Sequence, residues 1–236
     1  MAGGRGTRLE SRVEKPLYEI GGVAMIDRVL TALEASAVGR ITVAVSPNAP
    51  DTRDYLVELD CTRSLEVDGV VEPLEPVTPA KPVWVIESAG DGYVSDLGSI
   101  LESNSIPIST PVLTAAADLP LLEGATVDGV LERYRRRVRA RGRDGGTDGE
   151  APSMTVCVPT ALKRRLELSV DTTLESDRHL APTGVNVVGT SNETMIARSY
   201  DHRLACNVNR RTDARVAKTY CSDRDRDGEE KEEAFR

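Results

Sequence analysis

Apolar positions along the chain fall into short blocks that switch between two periods. From Met25 they recur at Ile26, Val29, Leu30 and Leu33, the i, i+3, i+4, i+7 spacing of a helix with one buried face, and Gly39 supplies its stop. ITVAV at 41–45 is a compact β-branched run, the pattern of a strand covered on both faces. SPNAPDT then turns the chain, and Asp51 and Asp54 mark a helix start with Tyr55, Leu56 and Leu59 on its apolar side. WVIE at 84–87, PVLTAAADLP at 111–120, MTVCV at 154–158 and VNVVG at 185–189 read as further strands. Helices are predicted over Tyr93–Leu101, on a face made by Val127, Val130, Leu131, Tyr134 and Val138, from Pro159 to Leu166, and from Thr212 to Tyr220. Residues 61–82 hold four prolines and read as loop with room for one short edge strand. This alternation predicts one α/β domain over 1–221, a mainly parallel sheet flanked by helices, with ligands gathering beyond the C-terminal ends of its strands.

Composition narrows the classes. With 236 residues and 39% apolar content, the chain can bury one sizeable core. No run reaches the length of a membrane span, and the opening MAGGRGTRLES lacks the apolar centre of a secretory signal. The four cysteines form no CxxC pair, and Cys157 in MTVCV reads as a small buried hydrophobe, so a cytoplasmic location is expected. The formal charge is −8, with 38 carboxylates and 25 arginines against five lysines. Such a surface suits a halophilic archaeon, although GC-rich coding yields the same arginine excess. Net negative charge and 3% aromatics exclude a general grip on nucleic acid. The seven arginines of 133–143 therefore read as a solvated helix end passing into the Gly/Asp loop 142–150. Residues 222–236, SDRDRDGEEKEEAFR, read as a disordered charged tail.

Candidate chemistry begins at the first residues. Gly3, Gly4 and Gly6 let backbone N–H groups approach an anion closely. Arg5 and Arg8 can fork onto phosphate oxygens, and Lys15 adds a mobile point charge. Neither the dinucleotide fingerprint nor the Walker pattern is present, and a plain turn is the alternative. Asp118 leaves an apolar strand as a carboxylate able to hold Mg²⁺, or else to cap the turn that follows. In GDGY, Gly90 and Gly92 permit backbone approach to a base or ribose, and Tyr93 and Asp96 open a helix. An ordinary strand-to-helix turn is the other reading, and Asp91 and Asp96 both stay open as acceptors for a base. Asn207 and Asn209 share a strand face by the two-residue period, and either can serve the metal or the phosphates, with Asn209 preferred as metal ligand; a structural asparagine capping the final helix is the other reading.

GGRGTRL followed by EKP resembles the signature of the nucleotidyltransferases that activate sugars and cofactors, the MobA-like superfamily with its Rossmann-like domain. A finer likeness is to the archaeal adenosylcobinamide-phosphate guanylyltransferases. It is carried by EKPLYEIGG, VAVSPNAPDT, IESAGDGYVSDL, LTAAADLP, APTGVNVV and ACNVNRRTD. The resemblance implies that Gly3, Gly4, Arg5, Gly6, Thr7, Arg8 and Lys15 hold GTP, with Lys15, Arg8 and Asp118 catalytic and Asp118 the Mg²⁺ ligand. It also implies that Gly90, Gly92, Tyr93 and Asp96 lie on the nucleotide side, and that Thr183, Gly184 and Asn186 of PTGVN line the acceptor pocket. The implied acceptor is a phosphorylated corrinoid and the expected assembly a homodimer. A guanylyl- or cytidylyltransferase acting on a precursor such as the molybdenum cofactor is an alternative, as is a nucleotide-binding regulatory module without turnover. Two departures stand out. The family places a short apolar strand ahead of the glycine loop, where this chain begins at Met1, and 61–82 is longer than the family needs.

Overall fold

The two glycines after EI set the first element. Gly21 and Gly22 both lie at positive φ, +64° and +79°, and close a hairpin between β1 (Glu19–Ile20) and β2 (Val23–Ala24). There follow α1 (Met25–Glu34), β3 (Ile41–Val45), α2 (Pro50–Glu58), β4 (Thr62–Ser64), β5 (Val83–Glu87), α3 (Tyr93–Glu102), β6 (Val112–Ala115) and α4 (Gly124–Ala140). The chain ends with β7 (Ser153–Pro159), α5 (Thr160–Arg165), β8 (Leu180–Val188), β9 (Thr194–Arg198), α6 (His202–Ala205) and α7 (Arg211–Glu233). This computed structural model describes residues 1–2, 7–59, 62–64, 81, 83–102, 111–141 and 151–233. Expectations for the glycine loop at 3–6, for most of 61–82 and for the 142–150 loop fall outside the described residues.

The strands form a parallel set, β3-β5-β4, and a mixed set, β6-β8-β7-β9. In the mixed set β8 runs antiparallel to both neighbours and β9 runs parallel to β7. The topology is thus mixed, parallel in β3-β5-β4 and between β7 and β9, and antiparallel on both sides of β8. The reason lies in β8, whose Ala181, Thr183, Val185 and Val187 are buried while the residues between them are partly exposed. That alternation marks a strand with one covered face, which antiparallel pairing allows. Pro182 and Gly184 broke the pattern, so only VNVVG was legible. One core packs α1, α4 and α7 against the mixed set, and a second packs α1 and α2 against the parallel set. α7 reaches Glu233, so the segment expected as a disordered tail is helical as far as that residue. Its Glu, Arg and Lys content carries good helix propensity. No described helix is long and apolar enough to cross a membrane.

The arginine-rich run has a structural task. β9 is an edge strand, paired only with β7 in its sheet. Arg133 Nη1 donates to Arg198 O at 2.5 Å, Arg137 Nη1 to Ile196 O at 2.6 Å, and Arg141 Nη1 to the Glu193 carboxylate at 3.4 Å. Four residues of helix rise about 6 Å and two residues of strand about 6.6 Å, so the i, i+4 pair Arg133 and Arg137 matches alternate positions of the edge, and Arg141 continues the row to a side chain just before it. The row occupies edge carbonyls that would otherwise template pairing with another chain. Replacing both Arg133 and Arg137 with Ala should raise the proportion of dimers and larger species on size exclusion with light scattering. A double variant with an unchanged elution profile would show that the row does not protect the edge.

Residues 1–2 thread between the two sheets. Ala2 N donates to Ala44 O at 2.7 Å, and Ser46 N donates to Ala2 O at 3.1 Å. On the other side the Met1 amine donates to Ala115 O at 3.0 Å, and Ala117 N donates to Met1 O at 3.2 Å. Both are parallel-strand patterns, so Met1 and Ala2 form a two-residue strand joining β3 to β6. Upstream of Met1 the facing edges of β3 and β6 stay apart across an apolar cavity. α1 lines it with Val29 and Leu33, and α3 with Leu97 and Ile100.

Candidate functional site

Glu14 of EKP is an anchor. Its Oε1 accepts from Asp51 N at 3.0 Å, and its Oε2 accepts from Thr52 N at 2.7 Å and Thr52 Oγ1 at 2.6 Å. A carboxylate from another segment thus satisfies the orphan donors of α2. Pro16 fixes the 3₁₀ turn Lys15–Leu17, which carries Lys15 toward the strand ends. Lys15 Nζ donates to Asp118 Oδ2 at 2.5 Å and to Asn209 Oδ1 at 2.6 Å. Lys15 lies 103 residues from Asp118 and 194 from Asn209 in sequence, and the three side chains meet beyond the C-terminal end of β6.

Each is held from behind. Asp118 Oδ1 accepts from Asn207 Nδ2 at 3.3 Å, and Asp118 O accepts from Val208 N at 2.9 Å. Asn207 Nδ2 also donates to Thr183 O at 2.7 Å, and Asn207 Oδ1 accepts from Lys163 Nζ at 3.2 Å. The Asn209 turn hangs on Asp213, whose fully buried Oδ2 accepts from Asn209 N at 3.0 Å and Arg210 N at 2.9 Å. Ser169 N and Oγ complete the partners of Asp213, at 2.7 and 2.8 Å. Gly184, at φ +79°, lies so close to this cluster that a Cβ would meet Ala116 Cβ at 2.9 Å and Asn207 Nδ2 at 3.3 Å. Any larger residue would push β8 off the Asp118 segment.

The other candidates divide. Gly3, Gly4, Arg5 and Gly6 fall outside the described residues, while Thr7 opens a 3₁₀ turn adjoining them. Arg8 is 68% exposed, with Nη1 3.8 Å from Asp171, so its guanidinium is open to an incoming anion. Asp96 is turned into its own loop. Its Oδ1 accepts from Gly90 N at 2.9 Å and Asp91 N at 3.1 Å, and its Oδ2 from Ser88 Oγ at 2.9 Å. Asp96 shapes the GDGY turn instead of facing a base, because a buried carboxylate takes the nearest N–H groups. Gly90, at φ +82°, packs on Pro47, where a Cβ would stand 2.8 Å from the ring. Thr183 is likewise inward. Its Oγ1 donates to Val156 O at 3.0 Å and the residue is fully buried, so its hydroxyl does not line an acceptor pocket. Tyr93 and Asn186 do meet. The Tyr93 hydroxyl lies 2.7 Å from Thr114 Oγ1 and accepts from Asn186 Nδ2 at 3.2 Å.

Two basic groups are shifted by burial. The Met1 amine is pushed down to about 6, with nearby Asp118 opposing the shift. Burial likewise lowers the Lys163 ammonium, opposed by Asp213, Cys206, Asp118 and Asp171. Lys163 escaped notice in the sequence because ALKRRL gives no cue separating it from exposed Arg164 and Arg165. Asp213 had a cue, as an acidic residue in the first turn of a helix.

A hard-cation test can be made on the donors themselves. A carboxylate oxygen and an amide carbonyl oxygen already converge on one positive charge, the Lys15 ammonium. Among the described residues no group of three or more His, Cys, Asp and Glu gathers as a metal cage. Two protein oxygens suit Mg²⁺, which keeps waters and binds substrate phosphates.

Comparison with known proteins adds the following. A family model described as the MobA-like NTP transferase domain matches residues 1–179. Adenosylcobinamide-phosphate guanylyltransferase of Methanocaldococcus jannaschii is 28% identical over 222 residues, covering 92% of this chain and 93% of that protein. Bifunctional protein GlmU of Rippkaea orientalis is 27% identical over 135 residues, 57% of this chain and 25% of that one. The solved structure of CMP:2-keto-3-deoxy-manno-octonic acid synthetase complexed with CTP has a TM-score of 0.53 and 13% identity, over 91% of this chain and 94% of that one. That likeness bears on the fold.

Proposed function

Because the chain belongs to the family of MobA-like NTP transferases and is a nucleotidyltransferase, we propose that it transfers GMP from GTP to adenosylcobinamide phosphate, releasing adenosylcobinamide-GDP and pyrophosphate. The observation that carries this reading is the meeting of Lys15, Asp118 and Asn209 beyond the C-terminal end of β6. The choice of base and acceptor is supported by the near full-length likeness to the Methanocaldococcus jannaschii guanylyltransferase.

Asp118 Oδ2 and Asn209 Oδ1 would hold Mg²⁺, which when bound supplies charge neutralisation on the triphosphate. The chain's own residues do the rest. Lys15 is a cation already at the site, and its mobile four-carbon stem lets the ammonium leave these two oxygens to the ion and move to a phosphate oxygen. Arg8 offers an open guanidinium to the leaving pyrophosphate. An oxygen of the acceptor phosphate attacks the α-phosphorus of GTP, and the α–β bridging bond breaks with its electron pair going to pyrophosphate. The acceptor phosphate is an anion at neutral pH, so no protein base has to remove a proton. Rate enhancement then comes from positioning and electrostatic stabilisation.

The test is pyrophosphate release with Mg²⁺ and adenosylcobinamide phosphate, run with GTP, ATP, CTP and UTP. GTP should exceed each of the others by at least tenfold, and release should require the acceptor. Preference for CTP would move the reading to another base. Nucleotide binding without release under any pairing would make the protein a binding module.

A further inference from the structure

α5 turns one of its charged side chains inward. Lys163 is 4% exposed, whereas Arg164 and Arg165 beside it are exposed. Burying an ammonium removes its hydration at considerable cost. A Met or Leu would fill similar volume without that penalty. The question is what the charge does there.

Its partner gives the answer. Lys163 Nζ donates to Asn207 Oδ1 at 3.2 Å. An ammonium has donors and no acceptor, so Asn207 must present its carbonyl oxygen to Lys163. The same orientation aims Nδ2 at Asp118 Oδ1, 3.3 Å away, and at Thr183 O, 2.7 Å away. Asn207 thereby occupies one oxygen of Asp118 and leaves Oδ2 pointing at Lys15. With the amide flipped, its oxygen would face the Asp118 carboxylate and the Thr183 carbonyl, an acceptor against two acceptors.

We propose that Lys163 is a positioning residue for the transfer reaction, locking the Asn207 amide in the orientation that holds Asp118 Oδ1 and directs Asp118 Oδ2 into the cation site. This rests on the reading of the site given above and extends it inward to a residue that touches no substrate. Partners behind metal-binding groups typically alter affinity or activity by 10–100-fold.

The experiment compares Lys163→Met, Lys163→Gln, Asn207→Ala and the Lys163→Met/Asn207→Ala pair. Each is measured for kcat, for the KM of GTP, for melting temperature, and for Mn²⁺ affinity of the protein alone by calorimetry. Lys163→Met should lower kcat by about 10–50-fold and weaken Mn²⁺ binding by about 5–10-fold, with the KM of GTP changing less than threefold. Lys163→Gln retains an N–H donor and should stay within fivefold of the unmodified protein in kcat and twofold in Mn²⁺ affinity. In the Asn207→Ala background, adding Lys163→Met should change kcat less than twofold, because the lever is already gone. A fully active Lys163→Met protein, or the full loss repeated in the Asn207→Ala background, overturns the proposal. Should Lys163→Met not fold, a folded Lys163→Gln that loses tenfold or more in either readout overturns it equally. The unmodified protein separates the two failures. No pyrophosphate release from it would refute the transfer reading, and Mn²⁺ affinity would still test Lys163. Normal release from both it and Lys163→Met would refute only Lys163.

Discussion

Asp118→Ala should cut kcat for pyrophosphate release by about 10³-fold, equivalent to roughly 4 kcal/mol of transition-state stabilisation. The size follows from what converges on this carboxylate. Its Oδ2 is bound by Lys15 at 2.5 Å, and its Oδ1 is held by Asn207 at 3.3 Å. Without it the cation site keeps only the Asn209 carbonyl, and Lys15 loses its counter-charge. GTP affinity should fall much less, by under tenfold, because Lys15 and Arg8 still bear positive charge toward the triphosphate. Asp118→Asn is the sharper variant, since it preserves shape and removes only the charge; it should lose at least 10²-fold. Steady-state kinetics at saturating Mg²⁺, with melting curves as a control for folding, check both. Turnover within tenfold of the unmodified protein would remove Asp118 from the chemistry.

Which residues were readable in the sequence, and which were not, follows from how far each effect is local. ITVAV, WVIE and MTVCV became β3, β5 and β7 because a run of apolar β-formers reports burial on both faces without help from distant residues. β9 was missed. In TMIAR only Met195 and Ala197 face inward, and exposed Ile196 between them hides the two-residue period. Lys15, Asp118 and Asn209 could each be nominated from chain position, at a turn after the glycine loop, at a strand exit and in an Asn-x-Asn. Side-chain direction was the harder problem. Thr183 and Asn186 are three apart on one strand, so the period of two places them on opposite faces, and they cannot both line one pocket. That parity was available in PTGVN, but only once β8 was known to be straight through Pro182 and Gly184. Asp96 was legible as a helix-opening residue, and that is what it is. Its competition between a ligand and Gly90, Asp91 and Ser88 is decided by loop geometry that composition does not encode.

A chain lengthened by four apolar β-formers ahead of Met1 should melt about 10 °C higher than one lengthened by Gly-Ser-Gly-Ser. The space for such a strand is visible. Met1 and Ala2 pair in parallel fashion with β6 on one side and β3 on the other, and the next four positions back along those edges, 40–43 and 112–115, face each other across a cavity. About 810 Å³ of atom-free space lies there, part of it open to solvent. α1 and α3 both line it, so a strand added there has to be apolar on both sides, not alternating. Each buried side chain contributes about 1.5–3 kcal/mol against about 1–2 kcal/mol for ordering its residue, and new ladder bonds add to the balance, so four residues net roughly 3–5 kcal/mol. In a domain of this size 1 kcal/mol moves the melting temperature by about 2–4 °C. The Met1 amine supplies an independent signature. Its ordinary value is 8.0, and in the folded chain burial brings it down to about 6. Between these pH values the unfolded chain binds more protons than the folded one, so stability rises with pH. The penalty is fully present below pH 6, at about 2–3 kcal/mol, and is gone above pH 8. Either extension converts the amine to an amide and should abolish this slope, whereas only the apolar one should raise the melting temperature. An apolar extension that melts no higher than the Gly/Ser control would mean that β3 and β6 do not accept a strand between them.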